Sequence, residues 1–346
     1  MVQAGVVGLG YWGPNLLRVL SGLPGVRLRS ICDIDADRLD HYARLYPSVS
    51  PTTDYDELLD DPRLDAVLIA TPVFTHFDLA SRSLAAGKHA FVEKPLASSS
   101  AEVDELLGVA HDEGLVLMCG HTFIYSPPVR AVKKLLDGGE LGEIFFISSS
   151  RVNLGLHQPD VSVIWDLGPH DFSILRYWLD AMPSSVAAVG RDSIVEGVPD
   201  VAFVTMRFPG GTLANVEMSW LAPSKLRRTV LVGSRKMVVY TDGSTEPIRI
   251  FDHGVVYEDP ATFGEYQLSY RTGDILSPQV DGDEPLELQL ADFVNSVETK
   301  SPPSGHADIC RDVVRMIEGA EESLSDSGAP VSVRDQGLSL REEPTA

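Results

Sequence analysis

Basic residues are scarce in this chain. Its 346 residues carry 28 Lys and Arg against 50 Asp and Glu, a formal net charge of −22. Nucleic acids and anionic membrane surfaces need clustered cations, so the sequence predicts neither as a partner. Cysteine is scarcer still: Cys32, Cys119 and Cys310 are odd in number and far apart, with no CxxC pair. That excludes a disulfide framework, suggests no zinc site, and fits a reducing cytoplasm. No apolar run approaches the roughly 18 residues of a membrane span. The N-terminus, MVQAGVVGLG, opens on a strand and lacks the basic and apolar regions of a secretory signal. What remains is an ordinary globular composition, 44% hydrophobic and 23% charged, at a length that suits two domains.

Residues 1–122 alternate strand-like and helix-like segments. VQAGVVGL, VRLRSICD, LDAVLIATP, KHAFVEKP and GLVLMCGHTF are short apolar runs, and helical spacings lie between them. The helix within SAEVDELLGVAHDEG takes Ser100 as its predicted N-cap. Strict alternation predicts a doubly wound parallel sheet, the Rossmann architecture. From residue 123 to 346 the rhythm changes. After one helix, PPVRAVKKLL, come long strand-like runs such as EIFFISSSRVN, DVAFVTMRFP, GTLANVEMSWLA and KMVVYTD, with FPGGT as a hairpin turn. The prediction is an α+β domain with a large, mostly antiparallel open sheet. Runs such as VAFVTMRF offer one face to helices and another to a second subunit, which predicts a homodimer or homotetramer. Residues 241–284, rich in Gly, Pro, Asp and Tyr, read as excursions. LELQLADFVNSVETK and HADICRDVVRMIEGAEESL read as amphipathic helices, and the tail REEPTA as loose.

The first strand ends in GLGYWG, with Gly8, Gly10 and Gly13 around Leu9, Tyr11 and Trp12. Between a strand and a helix this spacing has a physical meaning. Gly8 permits the tight turn, Gly10 admits a pyrophosphate to the backbone, and Gly13 lets helix and strand pack closely. Free N–H groups at the helix start favour negative charge. Pro14 costs little there. Asp33, about 20 residues on, has the spacing of a carboxylate that binds the adenosine ribose and repels a 2′-phosphate. Ile34 and Asp35 follow it instead of an arginine, so NAD is favoured over NADP. The alternative reading of Asp33 is a cap for the next helix, a job for which Asp35 is as well placed.

Three further motifs follow in order: TPVFTH (71–76), EKP (93–95) and DLGPH (166–170). With GLGYWG they resemble the Gfo/Idh/MocA oxidoreductases over about residues 1–325, with nucleotide-sugar and inositol dehydrogenases the nearest in feel. The resemblance implies nicotinamide-dependent chemistry on sugars, nucleotide sugars or cyclitols. It implies that Thr71 and Pro72 line the nicotinamide half of the site, with Thr75, His76, Glu93 and His121 nearby. It also implies a cis bond before Pro95 that aims Lys94 at substrate. Members often carry an aspartate three residues after the histidine; here that position is Ser173, and the acid is Asp171.

HDFSILRYWL has helical spacing, so Gly168 reads as a cap and Pro169 as first-turn. His170 would then feel the positive end of the helix, which lowers its pKa, and a neighbouring Asp166, which raises it. Trp165 and Leu167 would keep water from the pair. The predicted catalytic set is Lys94, Asp166 and His170, with His170 as proton acceptor, Asp166 orienting it or binding substrate, and Lys94 polarising the reacting oxygen. Tyr125, Arg151 and Asn153 are further substrate-binding candidates. KLRR (225–228) reads either as a phosphate site or as a solvated strand end. The predicted activity is oxidation of a ring secondary alcohol, foremost on a nucleotide sugar at C3. Inositol or free-sugar dehydrogenation, biliverdin-reductase-like chemistry and a non-catalytic NAD-binding sensor are the alternatives.

Overall fold

The computed structural model describes residues 1–155, 161–258, 267–301 and 306–333. The first domain is wound from β1 (Val2–Val7), α1 (Gly13–Gly22), β2 (Val26–Cys32), α2 (Ala36–Leu45), β3 (Ser50–Thr52), α3 (Tyr55–Leu59), β4 (Ala66–Ile69), α4 (His76–Ala85), β5 (His89–Val92), α5 (Ser100–Asp112) and β6 (Leu117–Cys119). Every strand pair is parallel, in the order β3-β2-β1-β4-β5-β6. β4, AVLI, is buried along its whole length, as an apolar run between two helical layers must be. The predicted doubly wound sheet is present. Its α5 is capped by Ser99, not Ser100: Ser99 accepts from the Glu102 amide, and Glu102 accepts from the Ser98 amide. The two bonds satisfy one free donor in the first turn of the helix and one in the segment that leads into it.

The second domain contains α6 (Pro127–Asp137), β7 (Ile144–Leu154), α7 (Val163–Leu179), β8 (Ser185–Arg191), β9 (Val201–Arg207), β10 (Leu213–Ser219), β11 (Leu221–Gly233), β12 (Met237–Thr241), β13 (Ile248–Glu258), β14 (Gln267–Leu276), α8 (Pro285–Thr299), α9 (His306–Ser325) and β15 (Val331–Ser332). Its sheet runs β14-β13-β12-β11-β7-β10-β9-β8-β15. All neighbours are antiparallel except the central pair β7 and β10. The expected excursions at 241–284 are instead largely the antiparallel pair β13 and β14. Glycine and aspartate scattered through IRIFDHGVVYE mask its alternation. The tail REEPTA lies outside the described residues.

Helices α6, α7 and α9 cover one face of this sheet, where Ile147, Val204, Met206, Ala214, Val216 and Leu231 are buried. The opposite face carries Phe146, Val189, Phe203 and Leu213, all more than a third exposed. Register sets Phe146 beside Leu213 and Phe203 beside Val189. The C-terminal helices return to the first domain: α8 packs on α1 and β1, and α9 on α5 and β6.

Helix α7 departs from expectation. It begins eight residues before His170, at Ser162, whose hydroxyl accepts from the Trp165 amide. Pro169 therefore sits inside the helix and Gly168 is not a cap. An interior proline ordinarily costs about 3 kcal/mol, because it withholds an N–H and crowds a carbonyl one turn back. Burial of Val163, Ile164, Phe172, Ile174, Leu175 and Trp178 on this one helix supplies the offsetting stabilisation.

Candidate active site

The glycine turn divides its labour as the spacing predicts. Gly8 has φ of 87° and a Cβ there would lie 2.5 Å from the Ala70 carbonyl oxygen. A Cβ at Gly13 would lie 1.9 Å from the Gly8 carbonyl oxygen, closing off the strand–helix approach. At Gly10 nothing lies within 4 Å. This is the open side, and it borders a cleft of about 440 Å³ lined by Leu9, Gly10, Tyr11, Asp37, Arg38, His41 and Tyr42. Tyr11 and Ile34 are 88% and 94% exposed beside it. Large apolar side chains held in water next to a glycine turn fit a flat ring system against them. The residues present thus fit a dinucleotide.

Asp33 is buried and accepts from two amides, Leu9 at 2.6 Å and Asp35 at 2.8 Å. It fastens the glycine turn to β2. Asp35 takes the capping role, accepting from Asp37 and Arg38. An arginine is nearby after all: Arg38 lies 3.2 Å from Asp35 and 3.8 Å from Asp33. The two carboxylates neutralise it, which preserves the case against a 2′-phosphate.

The TPVFTH turn and the EKP turn are joined by His76. Its ring nitrogens lie 2.8 Å from the Pro95 carbonyl oxygen and 2.9 Å from that of Thr71. Burial lowers its pKa against the pull of these carbonyls. His76 is thus a buried strut between two loops, and the cofactor-contact expectation gives way to this bracing geometry. Thr75 Oγ1 donates to the Pro72 carbonyl, so the Thr71 hydroxyl donates to Thr75. The Lys94–Pro95 bond is cis.

Lys94 Nζ reaches into the second domain. It donates to the Asp166 carbonyl oxygen at 2.7 Å and to Asp166 Oδ1 at 3.2 Å. The other oxygen, Asp166 Oδ2, accepts from the Trp220 indole at 3.0 Å. Asp166 is therefore bound to Lys94 and Trp220, and the expected Asp166–His170 orientation is replaced by this pairing. The expected shielding by Trp165 and Leu167 is also revised. Both pack partly buried against the core, while Trp220 touches Asp166 and Phe123 touches His170.

Phe123 stands edge-on to the His170 ring at 5.0 Å between centroids. The guanidinium carbons of Arg151 and Arg227 lie 4.5 and 5.5 Å from the Phe123 centroid. The two arginines are register partners on β7 and β11. His170 is set well below its ordinary pKa by burial first, then by the charges of Lys94, Arg151, Arg227 and His121. The expected helix-end effect is absent, since His170 lies two turns into α7. Arg151 is buried and pairs with Asp171, which also accepts from Ser149. Its Nη1 has no hydrogen-bond partner among the described residues. Arg227 pairs with Asp242 at 3.0 Å. Of KLRR, then, Arg227 faces the site, while Lys225 and Arg228 are exposed. Tyr125 is buried and donates to Asp292 at 2.7 Å, which removes it from the substrate candidates. Asn153 is half-buried on β7. Ser173 donates to the His170 carbonyl oxygen, a local helix bond. Phe123 and Trp220 escaped the sequence reading, and Arg227 entered it only as one of the two readings of KLRR, because only tertiary register brings them to His170 and Asp166.

Glu93 is enclosed. Burial pushes its carboxyl up to about 7, against the opposing charge of Lys94. Its Oε1 has no hydrogen-bond partner among the described residues.

A parallel sheet whose first turn fits a dinucleotide, with a lysine at its carboxyl edge reaching a histidine-bearing helix, defines a nicotinamide-dependent dehydrogenase. Residues 2–121 match the sequence profile of the oxidoreductase family with an NAD-binding Rossmann fold, and residues 129–239 that of the GFO/IDH/MocA C-terminal domain. UDP-N-acetylglucosamine 3-dehydrogenase of Acidithiobacillus ferrooxidans is 32% identical over 235 residues, 66% of this chain and 70% of that protein. scyllo-Inositol 2-dehydrogenase (NAD(+)) of Bacillus subtilis is 29% identical over 233 residues, 64% and 68%. The crystal structure of GenD2 from gentamicin A biosynthesis, in complex with NAD, superposes with a TM-score of 0.81 at 25% identity, covering 96% of this chain and 97% of that one. The chain belongs to the Gfo/Idh/MocA oxidoreductase family and is an NAD-binding oxidoreductase. No helix among the described residues is long and apolar enough to cross a membrane.

Two predictions follow from this geometry. Gly10→Ala should leave the melting temperature of the cofactor-free protein unchanged and abolish most of the stabilisation by added NAD. Gly13→Ala should lower the melting temperature without cofactor. Thermal scans with and without NAD separate them, and equal behaviour of the two would refute the assignment. Second, the Glu93 carboxyl is raised from 4.5 to about 7. Between these values the folded chain holds a proton that the unfolded chain releases. Stability therefore falls as pH rises through this window, by a penalty on the order of 3 kcal/mol that is complete above it. Glu93→Gln should match the wild type near pH 4.5 and melt several degrees higher at pH 8. A difference independent of pH would contradict the assignment.

Proposed function

We propose that this oxidoreductase interconverts a ring secondary alcohol and the corresponding ketone of a sugar, foremost a nucleotide sugar at C3, with Lys94 and His170 handling the proton. The observation that carries this reading is the bond from Lys94 Nζ to Asp166, which fixes a cation at the carboxyl edge of the parallel sheet, beside a neutral histidine. The nicotinamide, when bound, supplies the acceptor for the hydride leaving the alcohol carbon. Thr71, Pro72 and His121 form its surroundings, with Gly8, Gly10, Trp12, Gly13 and Asp33 toward the other half of the cofactor.

His170 takes the hydroxyl proton. Its lowered pKa keeps the imidazole neutral at physiological pH and therefore able to accept. The same cations that lower it return that proton quickly, because an imidazolium beside three positive charges is unstable. Lys94 hydrogen-bonds the reacting oxygen and stabilises developing negative charge, while Asp166 holds the ammonium in place. In the reverse direction the protonated histidine gives its proton to the carbonyl oxygen. Arg151, with one unpaired donor, and Arg227 give the pocket a positive wall. This supports an anionic substituent such as the diphosphate of a nucleotide sugar. The UDP-N-acetylglucosamine dehydrogenase relative supports the same choice. An inositol or free sugar is the second reading, favoured by the pairing of both arginines with Asp171 and Asp242, which leaves little net charge for a phosphate. The retained Lys94 and His170 argue against a non-catalytic sensor.

The exposed face bearing Phe146, Val189, Phe203 and Leu213 fits a second copy of the chain, giving a homodimer or homotetramer.

Initial rates of NADH formation should be measured with UDP-sugars, TDP-sugars, inositols and free sugars, and with NADP replacing NAD. Lys94→Ala and His170→Ala should each lower kcat by about 10²–10⁴-fold while NAD still binds. The acid limb of kcat/KM for oxidation should lie below the ordinary histidine pKa of about 6.5. Unchanged kcat in either variant would overturn the roles. No turnover with any class, with NAD bound, would favour the sensor. Light scattering should give a dimer or larger species that Phe146→Asp with Phe203→Asp dissociates; a wild-type monomer would refute the interface.

A further inference from the structure

At His121 lies a cluster whose two thiols the redox chemistry does not use. Cys119 ends β6, His121 follows it by two residues, and Cys310 comes from the first turns of α9, nearly two hundred residues later. One ligand atom from each lies within 4.8 Å of the other two, and all three residues are buried. Both ring nitrogens of His121 are fully enclosed and have no hydrogen-bond partner among the described residues. A buried imidazole left so is costly, since it forfeits its hydration with nothing in exchange. His306, adjacent to the cluster, is already committed: its Nε2 accepts from the Cys119 amide at 2.8 Å, and its ring also hydrogen-bonds the Cys310 sulfur.

We propose that Cys119, His121 and Cys310 form a metal site that takes zinc. Two thiolates and one imidazole suit a borderline-soft ion, and a chain of this charge disfavours no cation. Zinc–sulfur bonds of about 2.3 Å and zinc–nitrogen bonds of about 2.0 Å place tetrahedral ligands roughly 3.3–3.8 Å apart. The three atoms need only close inward by a small shift to reach that spacing. The three residues fill three of the four tetrahedral positions. Binding releases the two thiol protons and satisfies the orphaned imidazole, so the ion is stabilised by what the apo cluster lacks. It would join the end of the parallel sheet to α9 of the second domain, and fix the ring of His121. Its role is architectural: the hydride and proton chemistry proceeds on Lys94 and His170.

The test uses the full-length protein from cells grown with added zinc or, separately, with cobalt in minimal medium. Elemental analysis after gel filtration should find near-stoichiometric zinc in the wild type and in Cys32→Ser, whose cysteine lies outside the cluster. It should find only trace zinc in Cys119→Ser and Cys310→Ser, with circular dichroism to verify that both fold. The cobalt form should show thiolate-to-cobalt charge transfer in the near ultraviolet, lost in the same two variants. A chelator should lower the melting temperature of the wild type and leave Cys310→Ser unmoved. Trace metal in the wild type with no charge-transfer band would overturn the proposal, as would full zinc retention in Cys310→Ser. A Cys119–Cys310 disulfide would overturn it too, seen as one titratable thiol after denaturation where three are expected.

Discussion

One ammonium group ties the two halves of this protein into a single site. Lys94 leaves the carboxyl edge of the parallel sheet and is received by the carbonyl and carboxylate of Asp166, on a helix of the other domain. Neither domain alone has the pair. Asp166 is in turn held by the Trp220 indole from the second sheet, so the position of the lysine is fixed from three sides of the fold. His76 prepares the same contact from below, by bracing the loop that carries Pro95 against the loop that carries Thr71. The cofactor-binding half and the substrate half thus share a boundary that is polar, directional and only partly exposed to water.

The charge economy around that boundary is local and runs against the whole. The chain is strongly acidic, yet Lys94, Arg151 and Arg227 converge on His170. Each cation has its own carboxylate: Asp166, Asp171 and Asp242. Such pairs hold the cations in place, and the charges that bear on the histidine are still those of the cations. Net charge therefore excludes polyanionic surfaces as partners while saying nothing of a small anion met inside the fold.

What was legible in the sequence was what a ligand demands locally. The glycine turn, Asp33, the threonine–proline turn and the lysine after β5 each lie at fixed short spacing from a strand end, on the carboxyl side of the parallel sheet where open α/β folds place ligands. The helix boundaries near Ser99 and Ser162 were not, since several serines and one proline offered equivalent starts and tertiary packing chose among them. β13 and β14 were hidden by glycine and aspartate, residues whose turn preference a nine-stranded sheet overrode. Trp220 and Cys310 were invisible, and the place of Arg227 was left open between two readings of KLRR, for a different reason. Their partners lie tens to nearly two hundred residues away, and no periodicity encodes a register between distant strands.

The parallel pairing of β7 with β10 has a bearing on how the molecule comes to exist. Two parallel strands at the centre of an otherwise antiparallel sheet must be joined by a long crossover, and here the crossover contains α7 and with it Asp166 and His170. Non-local pairings of this kind are slow to form. On the ribosome the parallel sheet of the first domain emerges complete before β10 has been made. The helices that close over its flank, α8 and α9, come last of all. The growing chain thus completes the strands of its glycine-turn sheet well before the helix bearing Asp166 and His170 is locked between β7 and β10.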